Sequence, residues 1–187
     1  MSKKIIKKNL GFTLIELLVV ISIIGLLSTV ILVSLKSAKD KANNSTINSI
    51  AMEYTKAIEF ALDANDEYPN PGVGDVNMYC LGEGYVGGAY TDNQCGLNVT
   101  RVQNAAINSA LAPFFSHLPK SEILNPSSTL GATPVWKGFH YRCSGWTATG
   151  QCNAFQLRWV LKNYADCIAG ASHPLATSNI CSIDRSL

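Results

Sequence analysis

The sequence predicts an α+β fold in which one long N-terminal helix packs on a small antiparallel β-sheet, and three observations predict it. From Leu17 to Leu35 the chain has no charged residue, and about twenty apolar residues in helix suffice to cross the hydrocarbon core of a bilayer. From Ile47 onward the apolar positions Ile47, Ile50, Ala51, Tyr54, Ile58, Ala61 and Leu62 share one face at helical spacing. Further on the period changes to two: Phe139, Tyr141 and Cys143 alternate, Gly145 to Gly150 supply a turn, and Phe155, Leu157, Trp159 and Leu161 alternate in return. That pattern is a β-hairpin.

The first apolar segment is a membrane span. Lys3, Lys4, Lys7 and Lys8 precede it, while Lys36, Lys39 and Lys41 follow with Asp40 in opposition. The N-terminal excess leaves that end in the cytoplasm. A secretory signal also starts basic, but its apolar core is about 7–15 residues and ends at a small-residue Ala-x-Ala site. Neither condition holds here. Glu16 is the anomaly, because a carboxylate inside a membrane helix is expensive and is by default a functional group with a partner to be named. A cut between Gly11 and Phe12 would put a new amino group about one helical turn from Glu16. That terminus neutralises the carboxylate, within the chain or on a neighbouring copy.

The run Gly11-Phe12-Thr13-Leu14-Ile15-Glu16-Leu17 resembles the processing site of type IV pilins and of the pseudopilins of type II secretion and DNA-uptake machines. The resemblance covers residues 1 to about 35. It implies that prepilin peptidase cuts after Gly11 and that the new terminus, Phe12, is N-methylated. It also implies that Glu16 is the assembly carboxylate, registering each subunit against its neighbour in a homo-oligomeric helical filament. An inner-membrane assembly platform and a motor ATPase are the implied partners. The domain reading follows: 1–11 a cytoplasmic leader removed on maturation, 12–35 the transmembrane and assembly helix, and 36–187 an extracytoplasmic, disulfide-bonded, pilin-like domain. Before assembly the chain is a single-pass inner-membrane protein, and afterwards part of a cell-surface or periplasmic filament.

Beyond Leu35 the helix continues to about Ala64, where Asn65, Asp66 and Tyr68-Pro69 end it, since the residue before proline avoids the helical region. Gly25, with Ser22, Ser28 and Thr29 nearby, lowers local helix propensity and is a candidate bend. Residues 69–99, rich in Gly, Asn, Pro and Asp, form a long loop. A second helix spans 101–118 with Ile107, Ala110, Leu111, Phe114, Phe115 and Leu118 on its core face, split at Pro113. Pro119-Lys120-Ser121 and Asn125-Pro126-Ser127 mark turns before the hairpin. This order is also similar to the globular half of pseudopilins over residues 36–162, including Tyr68-Pro69 after the first helix. Residues 163–187 are an added tail, folded back by a Cys167–Cys181 link.

All six cysteines, Cys80, Cys95, Cys143, Cys152, Cys167 and Cys181, follow the span. An even number on the exported side favours disulfides over metal ligation. Fifteen connectivities are possible; the preferred one pairs neighbours, Cys80 with Cys95, Cys143 with Cys152 and Cys167 with Cys181. Each closes a loop of roughly 10–16 residues, constraining the unfolded chain by about 3 kcal/mol. Charge follows the same division: the leader holds four of the 15 Lys and Arg, leaving 11 against 13 acids, a net of −2. A surface near neutrality offers no general phosphate-binding field.

No catalytic residue, metal ligand or cofactor is expected. His117, His140 and His173 fall on different elements without a nucleophile motif, and His140 is expected to face solvent on its strand. Asp63, Asp66 and Glu67 read as a solvated helix end. Asp75, Asp92 and Asn93 do not reproduce a regular calcium loop. Gly82-Glu83-Gly84-Tyr85-Val86-Gly87 fits a dinucleotide pattern but lacks the strand before and the helix after. Asn98-Val99-Thr100 is a glycosylation triplet. Two classes of function remain: a structural filament subunit, or a minor tip subunit whose loops bind DNA, a surface or an exported protein. The sequence leaves nucleic acid as a partner uncertain.

Overall fold

The computed structural model describes residues 12–82, 103–119, 128–130, 133–136, 138–162, 167–174 and 178–187. The chain divides after Lys39 into two compact units. Helix α1 (Leu14–Asn65) is a continuous element of 52 residues.

In the first unit every described residue is exposed, and the helix runs unbroken through Gly25. Its hydroxyls are satisfied within the helix: Ser22 Oγ donates to the Leu18 carbonyl at 2.8 Å, Ser28 Oγ to Ile24 at 2.7 Å and Thr29 Oγ1 to Leu26 at 2.8 Å. A helix in hydrocarbon has no water to satisfy such groups, so local back-bonding is the arrangement that lipid permits. By length and composition this helix can cross a membrane.

The second unit is built on the remaining turns of α1. Asn44, Ile47, Ala51, Tyr54, Thr55, Ala57, Ile58 and Ala61 are its buried residues, a stripe three or four residues apart that faces the sheet. Asp66 closes the helix in the left-handed region at φ 56°, and its N–H donates to the Leu62 carbonyl at 2.8 Å. A short polar side chain tolerates that conformation better than most.

The strands are β1 (Tyr79–Leu81), β2 (Ser128–Leu130), β3 (Thr133–Trp136), β4 (Phe139–Trp146), β5 (Cys152–Lys162), β6 (Ala171–Pro174) and β7 (Ser178–Ser186). Five form an antiparallel sheet in the order β1-β4-β5-β7-β6, while β2 and β3 pair separately. The α+β class and the long helix on an antiparallel sheet are thus as the sequence predicts. One face of β4 and β5 presents Phe139, Tyr141, Cys143, Phe155, Leu157, Trp159 and Leu161 to α1, all fully buried. Tyr54 of α1 packs against Phe139 with ring centroids 5.1 Å apart.

Polar contacts fix the helix against the sheet. Asn44 Nδ2 donates to the Lys162 carbonyl at 2.9 Å and Asn44 Oδ1 accepts from the Lys162 N–H at 3.0 Å. Trp159 Nε1 donates to Asn48 Oδ1 at 2.9 Å. After the helix, Glu67 Oε2 accepts from the Cys152 N–H at 3.1 Å and Tyr141 Oη donates to the Pro69 carbonyl at 2.7 Å. Burial, reinforced by the charges of Tyr68 and Glu67, raises the Tyr141 phenol well above its ordinary value and keeps it a donor.

Four readings need correction. The loop expected at 69–99 contains strand β1, in which Tyr79–Leu81 pairs with β4 from Tyr79↔Tyr141 to Leu81↔Phe139. The tail 163–187 contributes two strands: β7 pairs with β5 over nine positions, from Ala154↔Ser186 to Lys162↔Ser178, and β6 forms the sheet edge. His140 is fully buried, because β1 lies on one side of it and Arg158 of β5 on the other. The second helix is shorter than expected: α2 (Ala105–Leu111), capped by Asn104, passes into a 3-10 turn at Ala112–Phe114. Pro113 in that turn leaves Phe114 partly exposed, its ring tilted against Phe60 with centroids 5.8 Å apart.

Cys143 and Cys152 are bonded across the mouth of the β4–β5 hairpin, with Cα atoms 5.8 Å apart. Cys167 and Cys181 are bonded at 5.5 Å. Cys80 is disulfide-bonded, whereas Cys95 lies outside the described residues. Peptide mapping of the purified chain without reductant is expected to recover Cys143–Cys152 and Cys167–Cys181 peptides. Free thiols at these four positions would contradict both the fold and an oxidising location.

Candidate functional site

The start of α1 carries the residues that the sequence singles out, and its local chemistry explains why the helix begins there. Thr13 is the last residue before the helix and Glu16 stands three residues further on. Thr13 Oγ1 donates to Glu16 Oε2 at 2.7 Å, and the Thr13 N–H donates to the same oxygen at 2.8 Å. In return the Glu16 N–H donates to Thr13 Oγ1 at 3.3 Å, and the Leu17 N–H donates to the Thr13 carbonyl at 3.3 Å. This is a capping box, in which Thr and Glu satisfy each other's otherwise orphaned backbone donors. A carboxylate in the first turn is also favoured by the helix dipole.

The two carboxylate oxygens of Glu16 are placed differently. Its Oε2 is occupied in closing the helix end, while among the described residues Oε1 accepts no hydrogen bond. Phe12, Ile15, Glu16, Val19 and Val20 lie together around a shallow groove, so the carboxylate sits within an apolar face. Phe12 itself is 82% exposed. Such a face can dock against another apolar helix while one carboxylate oxygen remains available to a cationic group. Sequence reasoning found Glu16 by its cost in a membrane and missed its partner Thr13. The signal was present, since Thr13-Leu14-Ile15-Glu16 has the Ser/Thr-x-x-Glu form.

Other candidates are placed differently. Gly11 lies outside the described residues. The four cysteines of the two described bonds belong to the second unit and hold strands together. Asp75 is held by the Tyr79 hydroxyl and by the Asn77 N–H at 2.8 Å; the tyrosine bond chiefly lowers its pKa, with burial opposing. Asp92 and Asn93 lie outside the described residues, as does the glycine-rich loop beyond Gly82 and the triplet at Asn98. Glu67 is a tie between the helix exit and β5. Among the described residues no group of three or more His, Cys, Asp or Glu could hold a metal ion.

Residues 6–32 match the family model described as the prokaryotic N-terminal methylation motif. No curated protein and no solved structure matches the chain. The matched segment contains the whole capping box and most of the exposed apolar helix.

Proposed function

We propose, for a chain that carries the N-terminal signature of type IV pilins and pseudopilins, that it is a structural subunit of a type IV pilus-like or type II secretion-like filament and has no catalytic role. The motif implies processing by prepilin peptidase and assembly with membrane machinery. A membrane-anchored precursor that becomes a surface or periplasmic filament fits the long apolar helix.

The single observation that carries this reading is Glu16 at the head of an apolar helical segment whose described residues are all exposed up to Lys39, with one oxygen bound to Thr13. Cleavage after Gly11 releases a cytoplasmic leader, and N-methylation leaves Phe12 as a secondary ammonium. Glu16 of one copy then pairs with the Phe12 terminus of a neighbour, offsetting the burial of both charges as the helices bundle. The side chains from Leu14 to Leu35 supply the packing surface, first for lipid and then for other copies. The second unit, with its disulfides, is the domain that each copy displays outside the cytoplasmic membrane.

Shearing of producing cells, followed by quantitative proteomics of the filament fraction, tests this reading. The chain is expected as the dominant subunit of the sheared material. Its retention in the membrane fraction, with none in filaments, would overturn the structural role.

A further inference from the structure

Two exposed apolar features stand at different places on the second unit. One is a groove between α1 and the 3-10 turn, where Phe60 and Phe114 meet and Phe115, Lys56 and Glu53 complete the walls. Phe60 is 54% exposed there. The other is the turn that follows the helix, where Val73 is 79% and Val76 62% exposed.

The valine turn is held from several sides. The Asp75 N–H donates to the Gly72 carbonyl at 3.0 Å, with Gly74 left-handed at φ 74°, as a turn of this kind requires of its third residue. Asn70 Oδ1 accepts from the Gly72 N–H at 2.9 Å, and Asn104 Nδ2 donates to the Pro71 carbonyl at 3.2 Å. Asp75 is tied to Tyr79 and to the Asn77 N–H. Valines displayed on so fixed a loop lose little entropy when a partner covers them.

Strand β5 sets the two features apart along α1. Its last residue, Lys162, is bonded to Asn44 and its first, Cys152, to Glu67, so the strand runs back along the helix. The valine turn lies at the Glu67 end, where Asn70 Nδ2 reaches the Gly150 carbonyl at 3.2 Å. The groove, around Lys56 and Phe60, lies earlier on the helix by on the order of 15 Å, at ~1.5 Å per residue. A knob and a groove at different places on one molecule join copies head to tail, and parallel copies displaced along their axis cannot close into a ring. The contact then repeats as a helix.

Charge fits the same pairing. Lys56 is exposed and has no ion pair among the described residues, while Asp75 stands between the two valines. Glu53, one helical turn before Lys56, repels Asp75 and confines it to the Lys56 and Phe60 side of the groove.

We propose that the Val73–Val76 turn of one copy docks in the Phe60–Phe114 groove of the next, with Asp75 against Lys56. This rests on the filament reading above and names the contact that the second units make within it.

The test treats sheared filaments with a carbodiimide, which couples a carboxylate to a primary amine in direct contact. A cross-linked dimer is expected to yield a Lys56–Asp75 peptide that the monomer band lacks. Lys56→Arg keeps the charge without the primary amine, so it should assemble normally and lose the link. Replacing both exposed valines, Val73→Ser with Val76→Ser, should leave the Tm of the oxidised full-length chain within about 2 °C and lower filament yield about tenfold or more. The proposal is overturned if wild-type filaments give no Lys56–Asp75 link, if the link is found in the monomer band alone, or if the double variant assembles normally. Absence of the wild-type chain from filaments would overturn the filament reading and this contact with it.

Discussion

Glu16→Val yields a chain that is still cut between Gly11 and Phe12 but is depleted from sheared filaments by about tenfold or more, the scale on which loss of one partner of a buried ion pair acts. The valine is compatible with the apolar helix and does not touch the cut itself, so processing continues. What disappears is the acceptor for a neighbour's terminus, and with it the compensation for burying that positive charge. The same substitution also removes the capping box, because Glu16 Oε2 accepts from both the N–H and the hydroxyl of Thr13. Glu16→Gln separates the two effects. Glutamine serves in a capping box nearly as glutamate does, yet it is uncharged. If the charge drives assembly, Glu16→Gln is processed and depleted much like Glu16→Val. If the cap is what counts, Glu16→Gln assembles normally. Filament yield by immunoblot, normalised to processed chain in the membrane, distinguishes them.

Trp159→Ala is expected to lower stability by about 3–5 kcal/mol, the cost of a large side chain deleted from a packed core. Trp159 is fully buried on β5, flanked by Phe139 of β4 and Cys181 of β7 in register. Its indole N–H reaches Asn48 of α1 at 2.9 Å. The residue therefore joins three strands and the helix. For a unit of this size the Tm should fall by about 10 °C. Unfolding of the oxidised full-length chain in detergent, followed by near-ultraviolet circular dichroism, measures the change. A loss below about 1 kcal/mol would mean that the helix and sheet are not packed as described.

Legibility in the sequence followed the strength of the hydrophobic pattern. Ile47, Ala51, Tyr54 and Ile58 announce a helix face, and Phe155, Leu157, Trp159 and Leu161 announce a strand, because each set is large, apolar and strictly periodic. Both sets are buried as their periods require. Strand β7 was not legible, since Ser178-Asn179-Ile180-Cys181-Ser182-Ile183-Asp184-Arg185-Ser186 mixes polar residues onto both faces. Its pairing comes from the backbone and from a neighbour already in place, a tertiary effect that local propensity does not contain. His140 was misread for a related reason. Alternation correctly put it on the face opposite Phe139 and Tyr141, but alternation says nothing about whether that face is covered. At the N-terminus the opposite held: Glu16 was conspicuous as a lone carboxylate, whereas its tie to Thr13 was written in a four-residue motif and was overlooked beside the more unusual Gly11-Phe12 junction.

The most direct measure of the central claim is intact and peptide mass spectrometry of the N-terminus from filament and membrane fractions. A structural subunit that enters filaments through its N-terminal helix should begin at Phe12 in the filament fraction, one methyl group heavier than the cleaved chain, with the leader ending at Gly11 confined to membrane precursor. An intact Met1 in filaments, or a mature terminus beyond Leu35, would contradict it.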